Sequence, residues 1–280
     1  MDKLKLIFKE NWGRILISYS LFTLQSISLI VYPKVLGEFI DHLVVKDYSY
    51  VKYLILTFLC LMVFNYISRI YDTRVFSSIY RKFASTETNK QFDNNVESTK
   101  INGRLTLMSS IVSFFERDMI TILNLLYGVI GSLYFISLVD TSMFIYLGIS
   151  GIATIGVTYY FTPKIKMITK ESNDLTEHQS EIVNTRKISL VNNLLRKKQK
   201  LSIKSSNLDA NFSFLIQLIA YGTVTLLITY YVLTNDVTIG GVFSTYRYLF
   251  DFCISVSYIP ALIPSLINIK DVIKRLDLDN

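Results

Sequence analysis

Six apolar runs, most of them close to 20 residues long, alternate along this chain with stretches that hold nearly all of its charge. That length is decisive, because about 20 helical residues at 1.5 Å each cross the roughly 30 Å hydrocarbon core of a bilayer. The runs cover 15–32, 51–68, 119–139, 142–161, 212–233 and 237–269, and only the last carries charge away from its ends. Inside hydrocarbon each backbone amide must be satisfied within its own segment, so each run is predicted to be a helix. The fold class read from this pattern is all-α, a polytopic membrane protein with six transmembrane helices. Composition agrees: 51% of residues are hydrophobic and 18% charged, against about 25% charged in ordinary soluble domains.

The polar stretches differ in kind. Asp140-Thr141 and Thr234-Asn235-Asp236 are tight turns, whereas 69–118 and 162–209 are each about fifty residues. In the first of these, Val75, Ile79 and Phe83 recur at helical spacing, so the second span is predicted to continue out of the membrane as a helix. Gly103 is the one expected break there. Residues 1–14 place Leu4, Ile7, Phe8 and Trp12 near helical spacing and read as a short interfacial elbow helix. The run after Arg14 is too long for the apolar core of a cleaved leader and reads as a retained first span. Residues 270–280 read as a short charged tail.

The net charge is +7, and its placement separates two explanations. Twenty-five of the 29 Lys and Arg lie in 1–14, 69–118, 162–209 and 266–280, while only Lys34, Lys46 and Lys52 lie in the alternate connections. This is the asymmetry of cytoplasmic loops facing anionic lipid, not a nucleic-acid surface. Both termini and both long connections are expected in the cytoplasm, with the chain in the plasma membrane. Cys60 and Cys253 sit in apolar runs and read as packing residues. His42 and His178 read as isolated, and no metal site is expected.

Arg247 and Asp251 lie four apart in the sixth run and so share a helix face. Intramembrane charges face a bundle interior or a wet cavity. The pair either lines a translocation path or neutralises itself to fix packing, and the sequence leaves both open. Tyr221 and Tyr246 belong to a crowd of tyrosines in the last two runs that fits an aromatic belt or a ligand surface. Gly148, Ser150, Gly151 and Gly156 give the fourth run a small-residue face suited to close helix contact.

Three segments resemble a known family: Tyr32-Pro33-Lys34-Val35-Leu36-Gly37-Glu38-Phe39-Ile40-Asp41, then Asn235-Asp236-Val237-Thr238-Ile239-Gly240-Gly241, then Ile269-Lys270-Asp271-Val272-Ile273-Lys274-Arg275 after two prolines. In order and spacing they are similar to the transmembrane domain of type I (type IV fold) ABC exporters, over essentially the whole chain. The resemblance implies a six-helix unit at 15–269 with long cytoplasmic helical extensions, paired with a second such unit as a homo- or heterodimer. It implies coupling through the two long loops, with Phe92 and Asp93 in the first and Leu194, Leu195, Arg196, Lys197 and Lys198 in the second. In the first loop Met108 and Ile111-Val112 stand near positions where the family carries Arg and Asn-Asp.

A phosphate-cradling loop needs Gly-x-x-x-x-Gly-Lys-Ser/Thr, and none of the eleven glycines begins that pattern. The chain is therefore expected to be no enzyme, with ATP and Mg²⁺ handled by a separate ATPase subunit. The implied function is export across the membrane. A motor-free scaffold, regulator or pore on the same fold is the alternative.

Overall fold

The computed structural model describes residues 10–93, 98–177 and 179–278. Nine α-helices and one π-helical turn carry these residues: α1 (Trp12–Val44), α2 (Val51–Asp93), α3 (Ser98–Ser113), the π turn (Phe114–Asp118), α4 (Met119–Val139), α5 (Thr141–Glu177), α6 (Gln179–Asn184), α7 (Ile188–Thr234), α8 (Ile239–Ser257) and α9 (Ile259–Leu278). No strand occurs among the described residues. Six helical stretches are long and apolar enough to cross a membrane, at Trp12–Val44, Val51–Asp93, Met108–Val139, Thr141–Thr176, Ile188–Thr234 and Ile239–Val272.

Helix length carries the architecture. The 47 residues of α7 span about 70 Å, more than twice the hydrocarbon core. The connections after α1, α4 and α7 are short and lie together at what we call the short-turn end. The other end holds the polar halves of α2, α5 and α7. On α2 the predicted Val75, Ile79 and Phe83 are indeed buried, and Val75 and Ile79 pack with Phe76, Ile15 and Val112. The larger core joins α4, α5, α7 and α8 through Ile136, Met143, Leu147, Phe161, Phe212, Ile216, Leu249 and Phe252. Side chains such as Ile130, Leu138, Ile152 and Leu226 point outward and exposed, as lipid-facing residues do.

Local punctuation is overruled in several places. Helix α1 does not stop with the apolar run at Tyr32 but runs on through Pro33 to Val44. Proline removes a helical donor, and two neighbouring hydroxyls serve carbonyls around the gap: Ser244 Oγ donates to Pro33 O at 2.9 Å and the Tyr248 hydroxyl to Ile30 O at 3.2 Å. Gly103 is helical within α3, since a helical glycine costs only about 1 kcal/mol relative to alanine. The sixth span is interrupted at Tyr258, two residues before Pro260, as expected where a proline cannot continue the preceding helix. Pro260 falls in the first turn of α9, where its missing N–H costs little, and Pro264 lies inside the helix. The expected charged tail is helical as far as Leu278. Residues 1–9 of the expected elbow lie outside the described residues, as does His178; α1 starts at Trp12 after a break at Asn11.

The sequence reading expected tight contact at Gly148, Gly151 and Gly156, but a Cβ added at Gly148 or Gly156 meets nothing within 4 Å. The close approach is elsewhere. At Gly240 an added Cβ falls 2.0 Å from Gly37 O, so the backbones of α1 and α8 touch. Beside that contact Asp41 Oδ1 accepts from Gly240 N at 2.8 Å and Oδ2 from Thr238 Oγ1 at 2.7 Å. Thr238 Oγ1 in turn accepts from Gly241 N at 3.0 Å and caps α8. A carboxylate from α1 thus completes the N-terminus of α8, where both orphan amides and the helix dipole favour negative charge. Asp41→Ala is expected to lower stability by about 1–2 kcal/mol, read as a lower thermal midpoint in a fixed detergent. An unchanged midpoint would show that the cap carries no weight.

Candidate functional site

Helix α8 is amphipathic across the bundle: Thr245, Tyr248, Leu249, Phe252 and Cys253 are buried, while Phe243 and Tyr246 are exposed. Three of the four candidates for a translocation path, Arg247, Tyr246 and Tyr221, gather around Phe250, and Asp251 joins them through Arg247. Arg247 Nη2 meets Asp251 Oδ1 at 3.0 Å, one turn along α8. The Arg247 guanidinium lies over the Phe250 ring, 5.8 Å from its centroid. Tyr246 stacks on the same ring at 5.9 Å, and Tyr221 reaches it from α7 at 6.4 Å. The sequence reading missed Phe250, although the spacing 243, 246, 247, 250 is a helical stripe that would have marked it.

The ion pair is neither sealed nor free in solvent. The Arg247 side chain keeps 32% of its exposure and Asp251 19%. On its inner side Asp251 borders a cavity of about 80 Å³ between α1, α4 and α8, whose polar lining includes Ser26, Asn124, Tyr127 and Ser255. Arg247 Nε is buried with no hydrogen-bond partner. Tyr248 closes the cavity toward the short-turn end, its ring stacked on Phe135 at 4.6 Å and 5°. Cross-helix hydroxyl bonds fix the surrounding elements, with Thr23 and Tyr127 at 2.7 Å, Tyr19 to Phe115 O at 3.1 Å and Ser18 to Asp72 at 2.6 Å. In a bilayer such bonds replace the hydrophobic force that holds soluble helices together.

The coupling candidates fall in two places. Phe92 and Asp93 are exposed in the last turn of α2, beside residues 94–97, which lie outside the described residues. Leu194 to Lys198 lie not in a loop but on the opening turns of α7. There Leu194 is buried, Leu195, Arg196 and Lys197 are exposed, and Lys198 Nζ donates to Gln179 Oε1. The chain reverses before them, through α6 and a turn in which Arg186 adopts φ 53°. At this tip Val183, Leu190 and Ile188 (80% exposed) are apolar and uncovered. Met108, Ile111 and Val112, which stand where polar residues were expected, are buried; Ile111 packs with Ile269 and Val272 of α9.

His42 is not isolated. Its Nδ1 lies 2.7 Å from Asp47 Oδ2 and its ring stacks on Tyr50 at 4.2 Å. The Ser49 backbone N–H, then His42, hold the Asp47 carboxyl below the usual carboxylate range. This is a turn-closing box between α1 and α2, with Lys46 at φ 62°. Cys253 is buried in the main core and Cys60 is half-buried on α2, each as a free thiol.

No curated protein matches the chain. A family model described as ABC transporter transmembrane region matches residues 4–241. The match takes in α1 through α7 and ends at the first turn of α8, so the Arg247–Phe250–Asp251 cluster lies beyond it. It does include the two segments that Asp41 ties together, and with six membrane-length helices in one bundle the chain belongs to the ABC transporter transmembrane region family.

Proposed function

We propose that this chain is the membrane subunit of an ABC-type export system, forming the translocation path and coupling to a separate ATPase subunit. The observation that carries this reading is the tip formed by α6 and the start of α7. Long polar helices bring it far from the membrane, and Val183, Ile188 and Leu190 stand uncovered there beside Arg186 and Lys187. An apolar patch rimmed by charge suits a protein partner more than water. The concentration of Lys and Arg at the same end supports placing it in the cytoplasm, where ATP and Mg²⁺ would be held by that partner. Two copies, or this chain and a related one, would enclose the path, with the Arg247–Asp251 face of α8 along it.

The motor-free alternative is favoured by one observation, the buried Met108, Ile111 and Val112 in place of a polar coupling sequence. One measurement tests the orientation that both readings share, and a second divides them. Cysteine at Lys197 should resist impermeant thiol reagents in intact cells while cysteine at Asp236 reacts; the reverse pattern overturns the orientation. Membranes solubilised gently should yield the chain with an ATP-hydrolysing subunit, which Ile188→Asp releases without loss of the chain itself. Transport that persists in a preparation devoid of any ATPase would establish the alternative.

A further inference from the structure

The short-turn end holds a second cavity, of about 260 Å³, walled by α1, α4, α7 and α8. Its lining includes Lys34, Glu38 and Asp41 of α1, Phe135 of α4, Tyr231 of α7 and Tyr248 of α8. Asp41 is already engaged, since both its oxygens accept hydrogen bonds from the start of α8. Lys34 and Glu38 are not engaged. Although they lie one turn apart, neither side chain has a hydrogen bond or ion pair among the described residues. Their order explains this in part, because a lysine placed N-terminal to a glutamate at i, i+4 is the poorer orientation for a helical pair.

An unpaired ammonium and an unpaired carboxylate, a helical turn apart on one cavity wall, are complementary to a ligand that carries the two opposite charges. Lys34 suits a phosphate or carboxylate. Glu38 suits an ammonium, with the Tyr231 ring in the same lining to share the cation. The volume lies just below the roughly 300–1,000 Å³ of small-molecule pockets, which fits a headgroup or an amino-acid-sized molecule. Lys34 follows the apolar run that ends at Tyr32, so the cavity lies at headgroup depth. Its floor is the Tyr248–Phe135 stack, which also closes the Asp251 cavity.

The geometry points to a binding site for a zwitterion at the short-turn end, with Lys34 holding its anionic group and Glu38 its ammonium. The source is either an ethanolamine-type lipid of the adjacent leaflet or a free zwitterion of the same chemistry. Binding requires no motor, so the proposal stands independently of the ATPase reading.

The test uses the full chain in nanodiscs of phosphatidylglycerol containing a minor fraction of phosphatidylethanolamine. Lipid retained through mild delipidation is measured by mass spectrometry. The wild-type chain should enrich phosphatidylethanolamine over the bulk, and Glu38→Gln should lower that enrichment about tenfold, the effect of losing one charge-assisted bond. Lys34→Gln should weaken retention of both lipids. Both substitutions fall on a partly open wall, and an unchanged melting temperature checks that each variant is folded. Phosphoethanolamine added to detergent-purified protein is the second arm. If it raises the melting temperature of the wild type but not of Glu38→Gln, the ligand is the free zwitterion; lipid enrichment without that rise assigns the lipid. Equal retention of the two lipids with no effect of phosphoethanolamine overturns the site, as does retention indifferent to both substitutions.

Discussion

Gly240→Val should cost the protein about 4 kcal/mol, the upper range of overpacking plus the loss of a helix cap. An added Cβ lies 2.0 Å from Gly37 O and 2.7 Å from Asp41 Oδ2. The first is backbone and the second is the carboxylate that caps α8, so no flexible side chain can yield. Relief requires α1 and α8 to separate, which also breaks Ser244 to Pro33 and strains Tyr248 to Ile30. Gly148→Ala is the matched control, because an added Cβ there meets nothing within 4 Å and alanine raises helix propensity by up to about 1 kcal/mol. Thermal unfolding of the two variants in one detergent checks the contrast. If Gly240→Val melts with the parent, the α1–α8 contact is not as close as described.

The second large effect is expected at Arg247 and Asp251. Removing one partner of a fully buried pair costs about 3–5 kcal/mol; with a third of the Arg247 side chain exposed, about 2 kcal/mol is expected for Arg247→Ala. The loss has two parts: Asp251 is left charged beside a small cavity, and Phe250 loses the guanidinium over its ring. Arg247→Lys keeps the charge but not the planar stack, so it should fall between. The double change Arg247→Met with Asp251→Leu should recover most of the stability, because hydrophobic replacements of a buried pair are often neutral. Transport then separates the roles. A stable double variant without transport places the pair on the path, and one with full transport makes it a packing device. A stable, fully active Arg247→Ala excludes both.

What could be read from the sequence follows from the range of each signal. Span positions depend on local run length and charge, and the six helices fall where the runs are. The continuation of α2 beyond the membrane was legible because Val75, Ile79 and Phe83 keep the period of a helix whose stripe is buried. Arg247 and Asp251 were legible as neighbours because the helix itself sets their spacing. Punctuation was less reliable: Pro33 predicts an exit, yet α1 continues through it, braced by hydroxyls of Ser244 and Tyr248, more than 200 residues away, that donate to Pro33 O and Ile30 O. The Asp41–Gly240 contact has the same cause. Each residue sits inside a segment similar to the family, yet nothing along one chain says that the two segments meet. The small-residue face of α5 is the converse: Ser150 is buried and a Cβ added at Gly151 meets Phe252 of α8, but Gly148 and Gly156 are left open.

Helices α2 and α7 contain no proline, and α2 has no glycine either. Sharp kinks arise at prolines, at Gly/Ser pairs or at π-type insertions, and α7 holds only the single Gly222, so these two elements behave mechanically as stiff rods. Over the roughly 70 Å of α7 a tilt of about 5° displaces the far tip by about 6 Å, without any change in the rod itself. The candidate joints lie in other helices: Pro33 in α1, Pro163 in α5, the π turn at Phe114–Asp118 between α3 and α4, and the break at Tyr258 between α8 and α9. The π turn is tied to α9, since Ser265 of α9 hydrogen-bonds Asp118. A tilt at the long-helix tips would therefore be carried into the bilayer along the rods themselves, and the bending that it demands would fall on the helices that hold a proline or a π turn.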